Sequence, residues 1–135
     1  MTKVVDGRAS LRDGVTMTDE VTRALARGGG VEITTTGRRS GQQRRVRLAF
    51  HNVGGRVYLS GRPGFPRSWV ANLRAQPSFT FHLRGAVRAD LPARGRVITD
   101  RAERVQIIPA IAAGWGYDPA IMVAGSPLVE VTFDD

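Results

Sequence analysis

The sequence predicts an α+β fold built on an antiparallel, barrel-like sheet with several short helices. Hydrophobic and polar residues alternate over short runs separated by glycine, proline and aspartate, the pattern of half-buried strands. Consecutive runs are joined mostly by tight turns rather than helical crossovers, which argues for antiparallel pairing and against a doubly wound parallel sheet. The 135 residues are 41% hydrophobic and 24% charged, a balance that suits one packed domain. No internal repeat and no second domain is visible.

Residues 1–15 are polar and unpatterned and read as a flexible N-terminal arm, which leaves 16–135 as a single domain. Thr18-Asp19-Glu20 can cap a helix, with Met17, Val21 and Leu25 at four-residue spacing on one face. Gly28-Gly29-Gly30 ends it, because glycine resists helix and adopts positive φ freely. Val31 to Thr35 reads as a strand, and Val46, Leu48 and Phe50 mark a second. Gly54-Gly55 is a hairpin signal, with Val57 and Leu59 on the return strand.

A glycine- and proline-rich loop follows from Gly61 to Pro66. Ser68 is expected to N-cap a short helix that carries Trp69 and Leu73 and is closed by Pro77. Phe79, Phe81 and Leu83 define the next strand. Val87 to Thr99 can form a longer one, in which Pro92 and Gly95 predict a bend or bulge. Asp100-Arg101-Ala102-Glu103 has the form of a capping box, followed by Val105, Ile108 and Ile111 at helical spacing. Pro109 is expected to kink or restart that helix. Asp118-Pro119 opens one more helix, and Val129, Val131 and Phe133 form the last strand.

The net charge is +8, the pI about 11.4, and Lys3 is the only lysine. Such a surface favours solubility or an anionic partner: nucleic acid, phosphate, polycarboxylate or anionic lipid. The absence of cysteine excludes disulfides, thiolate metal sites and cysteine nucleophiles, and fits a reducing cytoplasm. No signal peptide or apolar spanning run is seen, so a cytoplasmic protein without stable membrane insertion is expected.

The chain offers no self-sufficient catalytic set. His51 and His82 each fall on the polar face of a strand, where a partly exposed histidine is expected, and their spacing suits no metal. There is no nucleophile elbow and no P-loop, and Asp100 and Glu103 read as helix caps. An enzyme of this sequence would draw its chemistry from a cofactor. Trp115 and Tyr117, set among Gly114 and Gly116, suit either core or the wall of a pocket for a flat ligand. Phe79 and Phe81 share the face of Leu83 and read as core rather than a stacking platform, so nucleic acid is not the expected partner.

The stretch Thr34 to Leu48, TTTGRRSGQQRRVRL, has two readings. In one, Gly37 lets backbone N–H groups turn towards an anion, Ser40 adds a hydroxyl, and Arg38, Arg39 and Arg44 supply forked donors. Arg62, in Gly61-Arg62-Pro63-Gly64, brings further charge if the hairpin joins the two loops. In the other, both loops are solvated basic turns.

This stretch, followed by VYLSGRPGFPRSWVANLRAQP, resembles the deazaflavin-dependent nitroreductase family, a branch of the flavin/deazaflavin oxidoreductases. Gly37, Arg38, Arg39, Ser40, Gly41, Arg44 and Leu48 match the family's first motif. Ser60, Trp69, Asn72, Leu73, Ala75 and Pro77 match the second. The likeness runs from about Val31 to Leu83, and more weakly to SPLVEVTF near the C-terminus.

The resemblance implies a split β-barrel of the FMN-binding kind and the cofactor coenzyme F420, whose tail carries a phosphate and several glutamates; FMN is the alternative. On this likeness Arg38, Arg39, Ser40 and Arg44 hold the phosphate and tail. Thr36 and Gly37 bring backbone close, Leu48, Ser60, Trp69 and Asn72 line the ring side, and Gly41, Arg47 and Arg62 complete the set. The implied reaction passes a hydride from the reduced deazaflavin to a small conjugated, quinone-like or nitro acceptor. Ser60 and Tyr117 are candidate proton sources, and no residue is assigned as catalytic. Relatives also include binders of flavin or lipid without known turnover, and homodimers. Three departures stand out: Arg47 where the family has proline, a short Gly61–Ser68 loop carrying Phe65, and no C-terminal tyrosine cluster.

Overall fold

The alternating runs close on themselves in a computed structural model, which describes residues 10–12, 15–64 and 67–134. Ser10–Arg12 (β1) pairs antiparallel with Val15–Met17 (β2) as a separate two-stranded hairpin. The remainder of the N-terminal arm, residues 1–9 and 13–14, lies outside the described residues, as do Phe65 and Pro66.

The barrel is built from Gly29–Thr36 (β3), Gln43–Val53 (β4), Arg56–Ser60 (β5), Ser78–Arg84 (β6), Arg88–Val97 (β7) and Leu128–Phe133 (β8). Their order around the barrel is β3-β4-β5-β8-β7-β6, with β6 closing on β3 and every pairing antiparallel. Period-two alternation sends Val31, Ile33, Phe50, Leu59, Phe81, Leu91 and Val129 inward, all buried. Phe81 sits at the centre, edge-on to Phe50 and Phe133 at centroid distances of 5.2 and 5.1 Å.

Asp19–Arg27 (α1) starts as expected, with Thr18 Oγ1 accepting from the Val21 N–H at 3.1 Å. It ends at Gly28, where φ is 73° and an added Cβ would stand 3.0 Å from the Phe50 carbonyl oxygen. Asn52 then ties the two elements together, donating from Nδ2 to the Leu25 carbonyl while Oδ1 accepts from the Gly55 N–H in the hairpin turn.

Ser68–Ala75 (α2) packs Trp69 and Leu73 against the barrel core. Its N-cap is Arg67, with no side-chain capping bond, and Ser68 is the first helical residue rather than the cap. No bulge appears in β7, because its register against both β6 and β8 runs without a step. Pro92 is tolerated because its missing N–H would point to the side where β8 has run out; its carbonyl, on that same side, accepts from Asp134. Gly95 answers a packing demand instead: a Cβ there would meet Val129 at 3.0 Å and Leu73 at 3.3 Å.

Arg101–Trp115 (α3) and Pro119–Gly125 (α4) build a second core outside the barrel. Ile107, Ile108, Ile111, Met122 and Val123 cover Tyr58 and Leu128, which explains why β5 is buried on both faces and not on the alternating face alone. Asp100 caps α3 through the Glu103 N–H at 2.9 Å. The helix runs unbroken through Pro109 instead of restarting. The carbonyl deprived of a partner belongs to Val105, which is exposed. Arg96 joins this layer to the barrel, donating to both Glu103 and Glu130. Arg104 donates to the carbonyls of Ile98, Met122, Val123 and Ser126, satisfying the end of α4. No helix among the described residues is long and apolar enough to cross a membrane.

Candidate active site

Strand β4 outruns its hairpin partner. It pairs with β5 only from Ala49 to Val53, whereas its pairing with β3 extends from Phe50 back to Gln43. Residues 43–48 therefore have a ladder on one side and a free backbone edge on the other. A cleft of about 860 Å³ runs along this edge, between the Gly37–Gln42 loop, the Gly61–Arg62 segment, the start of α2 and Trp115.

Most of the residues singled out in the sequence converge here: Gly37, Arg38, Arg39, Ser40, Arg44, Arg47, Leu48, Ser60, Arg62, Trp69 and Asn72 all line the cleft. Thr36 and Gly41 do not. The Thr36 hydroxyl accepts from Gln43 Nε2 at 3.4 Å, and Gly41 is an exposed turn residue with φ of 72°. Trp115, for which the sequence left core and pocket wall open, lines the cleft, and Thr35, Arg45, Val46, Ala49, Gly61, Arg67 and Ser68 are lining residues that motif reading missed. The mismatch between a long β4 and a β5 that stops at Gly61 was the available signal, since it leaves the first half of β4 without a hairpin partner.

The Gly37 loop is held from within and from α2. Gly37 N–H donates to the Gln42 carbonyl at 2.7 Å, Gly41 N–H to the Gly37 carbonyl at 2.9 Å, and Gln42 N–H to Ser40 Oγ at 3.1 Å. The buried Asn72 accepts through Oδ1 from both the Arg38 N–H and Arg38 Nη1, each at 3.1 Å, while its Nδ2 donates to Thr35 Oγ1. The N–H groups of Gly37, Arg38, Gly41 and Gln42 are thus engaged inside the protein. Besides its guanidinium groups, the loop has the N–H groups of Arg39 and Ser40 without a partner among the described residues. Gly37 is closely packed: a Cβ there would lie 2.8 Å from Ser40 Oγ and 3.2 Å from the Gln42 carbonyl oxygen.

Charge divides the arginines into two groups. Arg45 and Arg47 approach Glu32 at 2.8 and 3.5 Å, and the Arg45 hydrogen bond, followed by Arg47, holds the Glu32 carboxyl below its ordinary range. Arg47, in place of the family's proline, is therefore both a cleft residue and a partner of Glu32. Among the described residues no carboxylate pairs with Arg38, Arg39, Arg44, Arg62 or Arg67. Arg67 donates to the Arg62 carbonyl at 2.8 Å and lies over Gly61, where a Cβ would meet its Cζ at 3.1 Å.

The far side of the cleft is less polar. Val46, Leu48, Ala49, Trp69 and Trp115 line it. The Ser60 hydroxyl is buried and donates to the Pro127 carbonyl at 2.7 Å. Tyr117 is outside the lining and packs edge-on to Trp115 at 6.3 Å. No cluster of potential metal ligands occurs among the described residues.

The family model of the F420H2-dependent quinone reductases matches residues 13–120. The chain belongs to this family. It is accordingly an F420H2-dependent reductase, and coenzyme F420 is its cofactor. Solved structures agree on the fold. A conserved hypothetical protein from Mycobacterium tuberculosis superposes with TM-score 0.69 at 13% identity, covering 93% of this chain and 86% of that one. An F420-H2-dependent reductase superposes with TM-score 0.58 at 22% identity, covering 77% and 94%. A structure described as a domain-swapped dimer gives TM-score 0.56 at 23% identity, covering 77% and 80%. No curated protein matches the chain in sequence.

The residues present fit the reductase family's cofactor. A polyanionic tail needs forked cationic donors without competing carboxylates, and Arg38, Arg39 and Arg44 meet that need at one end of the cleft. A flat ring needs apolar walls, and the β4 edge with Trp69 supplies them.

Proposed function

We propose that the protein uses reduced F420 in this cleft to reduce a small quinone-like acceptor. The observation that carries the reading is the juxtaposition of an acid-free arginine cluster with an apolar trough along the free edge of β4. Arg38, Arg39 and Arg44 bind the phosphate and glutamate carboxylates of the tail. Asn72 orients Arg38, and Trp69, Val46 and Leu48 shield the ring end from water. The bound cofactor, when reduced, supplies a hydride to an electron-poor acceptor. Ser60, whose proton is directed at Pro127, serves as wall, and the acceptor's proton comes from solvent.

Residues 16–135 act as one cofactor-binding domain, and we place the protein in the cytoplasm, where a cysteine-free chain is at no disadvantage. A homodimer is the proposed assembly, supported by the occurrence of a dimer on this fold, and sedimentation at micromolar concentration tests it. The decisive experiment is titration with F420, followed by a spectroscopic assay of F420H2 oxidation with quinone and nitro acceptors. Saturable binding with quinone-dependent oxidation is the expected result. Binding without turnover of any acceptor would favour a non-catalytic carrier, and absence of binding would defeat the proposal.

A further inference from the structure

The free edge of β4 carries donors and acceptors that do not depend on its side chains. In an antiparallel pair, successive residues aim their N–H and C=O groups at opposite neighbours. The phase on β4 is fixed at both ends. At one end the Gly37 N–H donates to the Gln42 carbonyl, so Gln42 faces β3, and the unbroken register carries Arg44, Val46, Leu48 and Phe50 with it. At the other end Gly54 and Gly55, with φ of 61° and 86°, form a two-residue turn whose flanking pair, Val53 and Arg56, is hydrogen-bonded. Val53, His51 and Ala49 therefore face β5. Both ends agree that the backbone groups of Arg45 and Arg47 point to the β5 side, beyond the last β4–β5 pair at Ala49 and Ser60.

Neither residue has a backbone partner on that side among the described residues, and both line the cleft. Arg62 would stand opposite Arg47 in a longer hairpin, but the chain turns away there, and the Arg62 carbonyl accepts from Arg67. The guanidinium groups of Arg45 and Arg47 lean across to Glu32 on β3, away from the free edge. Arg47 lies at the apolar end of the strand, next to Leu48 and Ala49, whereas the Gly37–Gln42 loop and its arginines lie beyond Gln43 at the other end. Arg47 is also where the chain departs from the family motif. A proline has no N–H, so the arginine adds a backbone donor to the cleft.

We propose that the N–H and C=O of Arg47 form a two-point hydrogen-bonding site for the imide edge of the cofactor ring. The inference rests on the reductase reading and assigns a contact that orients the ring. A deazaflavin ring carries a cyclic imide, two carbonyls flanking an N–H. A strand residue presents its N–H and C=O side by side towards one edge, so the first donates to a ring carbonyl while the second accepts from the ring N–H. A quinone has carbonyls only and would leave the Arg47 C=O unmet. Phosphate and carboxylate oxygens would be repelled by it. Donor and acceptor on one residue thus select an imide. The order of sites along β4, Arg47 and then the arginine loop beyond Gln43, matches the order of ring and tail in the cofactor.

The test reads the backbone amides of the 15N-labelled whole protein. Without ligand, the Arg45 and Arg47 amides are expected to exchange with solvent roughly tenfold faster than those of Val46 and Leu48, which bond to β3. The reverse pattern would overturn the assignment. The ring probe is 5-deazariboflavin, which keeps the imide and lacks phosphate and glutamates; its N3-methyl derivative lacks the imide proton. Saturation with the first should shift and protect the Arg47 amide, and the second should bind about tenfold more weakly. Arg47→Ala keeps the backbone N–H and Arg47→Pro deletes it, a change that a strand edge tolerates. Arg47→Pro is expected to bind 5-deazariboflavin about tenfold more weakly than Arg47→Ala. Equal affinities of the two variants, or an unmoved Arg47 amide at saturation, would overturn the site. Should Arg47→Pro fold poorly, the wild-type spectra decide alone. Failure of the reductase reading looks different: an Arg47 amide that responds to 5-deazariboflavin in a protein that does not bind F420 keeps the imide site and sinks that reading. Normal F420-dependent quinone reduction with an unmoved Arg47 amide does the reverse.

Discussion

His51 and His82 occupy equivalent places in the sequence pattern, each on the outward face of a barrel strand, yet their surroundings are opposites. His82 is buried on the sheet of β3, β6 and β7 and is fully engaged: Nδ1 lies 2.7 Å from Asp90 Oδ1 and Nε2 lies 2.7 Å from Thr34 Oγ1. A carboxylate can only accept, so Nδ1 carries a proton, and in the neutral ring Nε2 then accepts from the Thr34 hydroxyl. Arg84 approaches the same Asp90 oxygen at 3.0 Å and completes the chain. His51 has Trp115 for company and an unpartnered Nε2. Arginines divide the same way. Arg96 and Arg104 are tied to named acceptors inside the fold, whereas Arg38, Arg39 and Arg44 face the cleft without a carboxylate among the described residues. Polar groups satisfied by the fold hold structure, and those left unsatisfied at a cavity indicate where a ligand completes the set.

The largest expected effect is on the unsatisfied side. Replacing Arg38, Arg39 and Arg44 together by alanine should weaken F420 binding roughly 100-fold, since each charge-assisted contact contributes on the order of 1 kcal/mol or more. Fluorescence titration with cofactors of increasing glutamate number checks it: the loss should grow with tail length, and equal affinity for wild type and variant would remove the arginines from the site. Thermal stability should change little, because no carboxylate among the described residues loses a partner and Asn72 Oδ1, on losing Arg38 Nη1, keeps the Arg38 backbone N–H.

On the satisfied side, His82→Leu should destabilise the fold by about 2 kcal/mol, because Thr34 and Asp90 lose their shared partner. Urea unfolding should show His51→Leu within about 0.5 kcal/mol of wild type, or more stable, because no hydrogen bond at Nε2 is lost. Equal destabilisation by the two substitutions would break the contrast between the two histidines. Gly114→Ala, in the last turns of α3 with open space around the new methyl, should stabilise by about 0.5 kcal/mol in the same assay.

The smallest effect concerns pH. The His82 hydrogen bond, then Arg84, holds the Asp90 carboxyl below its ordinary value. A depressed folded pKa means the contribution is fully present above the unfolded value of 3.8 and is lost as pH falls through the folded one. Asp90 is largely exposed, so solvent screens the interaction and the effect is modest. Asp90→Asn should flatten that acid limb in unfolding measurements between about pH 4 and pH 2, and an unaltered limb would assign it to other carboxylates.

Much of the site could be read from TTTGRRSGQQRRVRL and the WxxNL segment, because a loop motif places its residues by local geometry. The role of Asn72 could not. Its hydrogen bonds to Arg38 and Thr35 span more than thirty residues and exist only once α2 docks beside β3. The close packing at Gly37 was hidden for a similar reason: a glycine signals conformational freedom, and only the folded loop brings Ser40 Oγ and the Gln42 carbonyl oxygen against it. Trp115 had two open readings in the sequence, and the docking of α3 beside β4 decided for the pocket wall.

The sequence by itself determined the strand alternation, the caps at Thr18, Asp100 and Asp118, the hairpin at Gly54-Gly55 and the clustering of arginines around one loop. These depend on interactions within a few residues, which the order of the chain specifies directly. Tertiary structure alone decided that β4 overhangs β5, that Tyr58 is buried beneath α3 and α4, and that one histidine is fully partnered while the other keeps a buried Nε2 without a partner among the described residues. Burial and hydrogen-bond satisfaction at such positions depend on what packs across from them, and those neighbours come from distant parts of the chain.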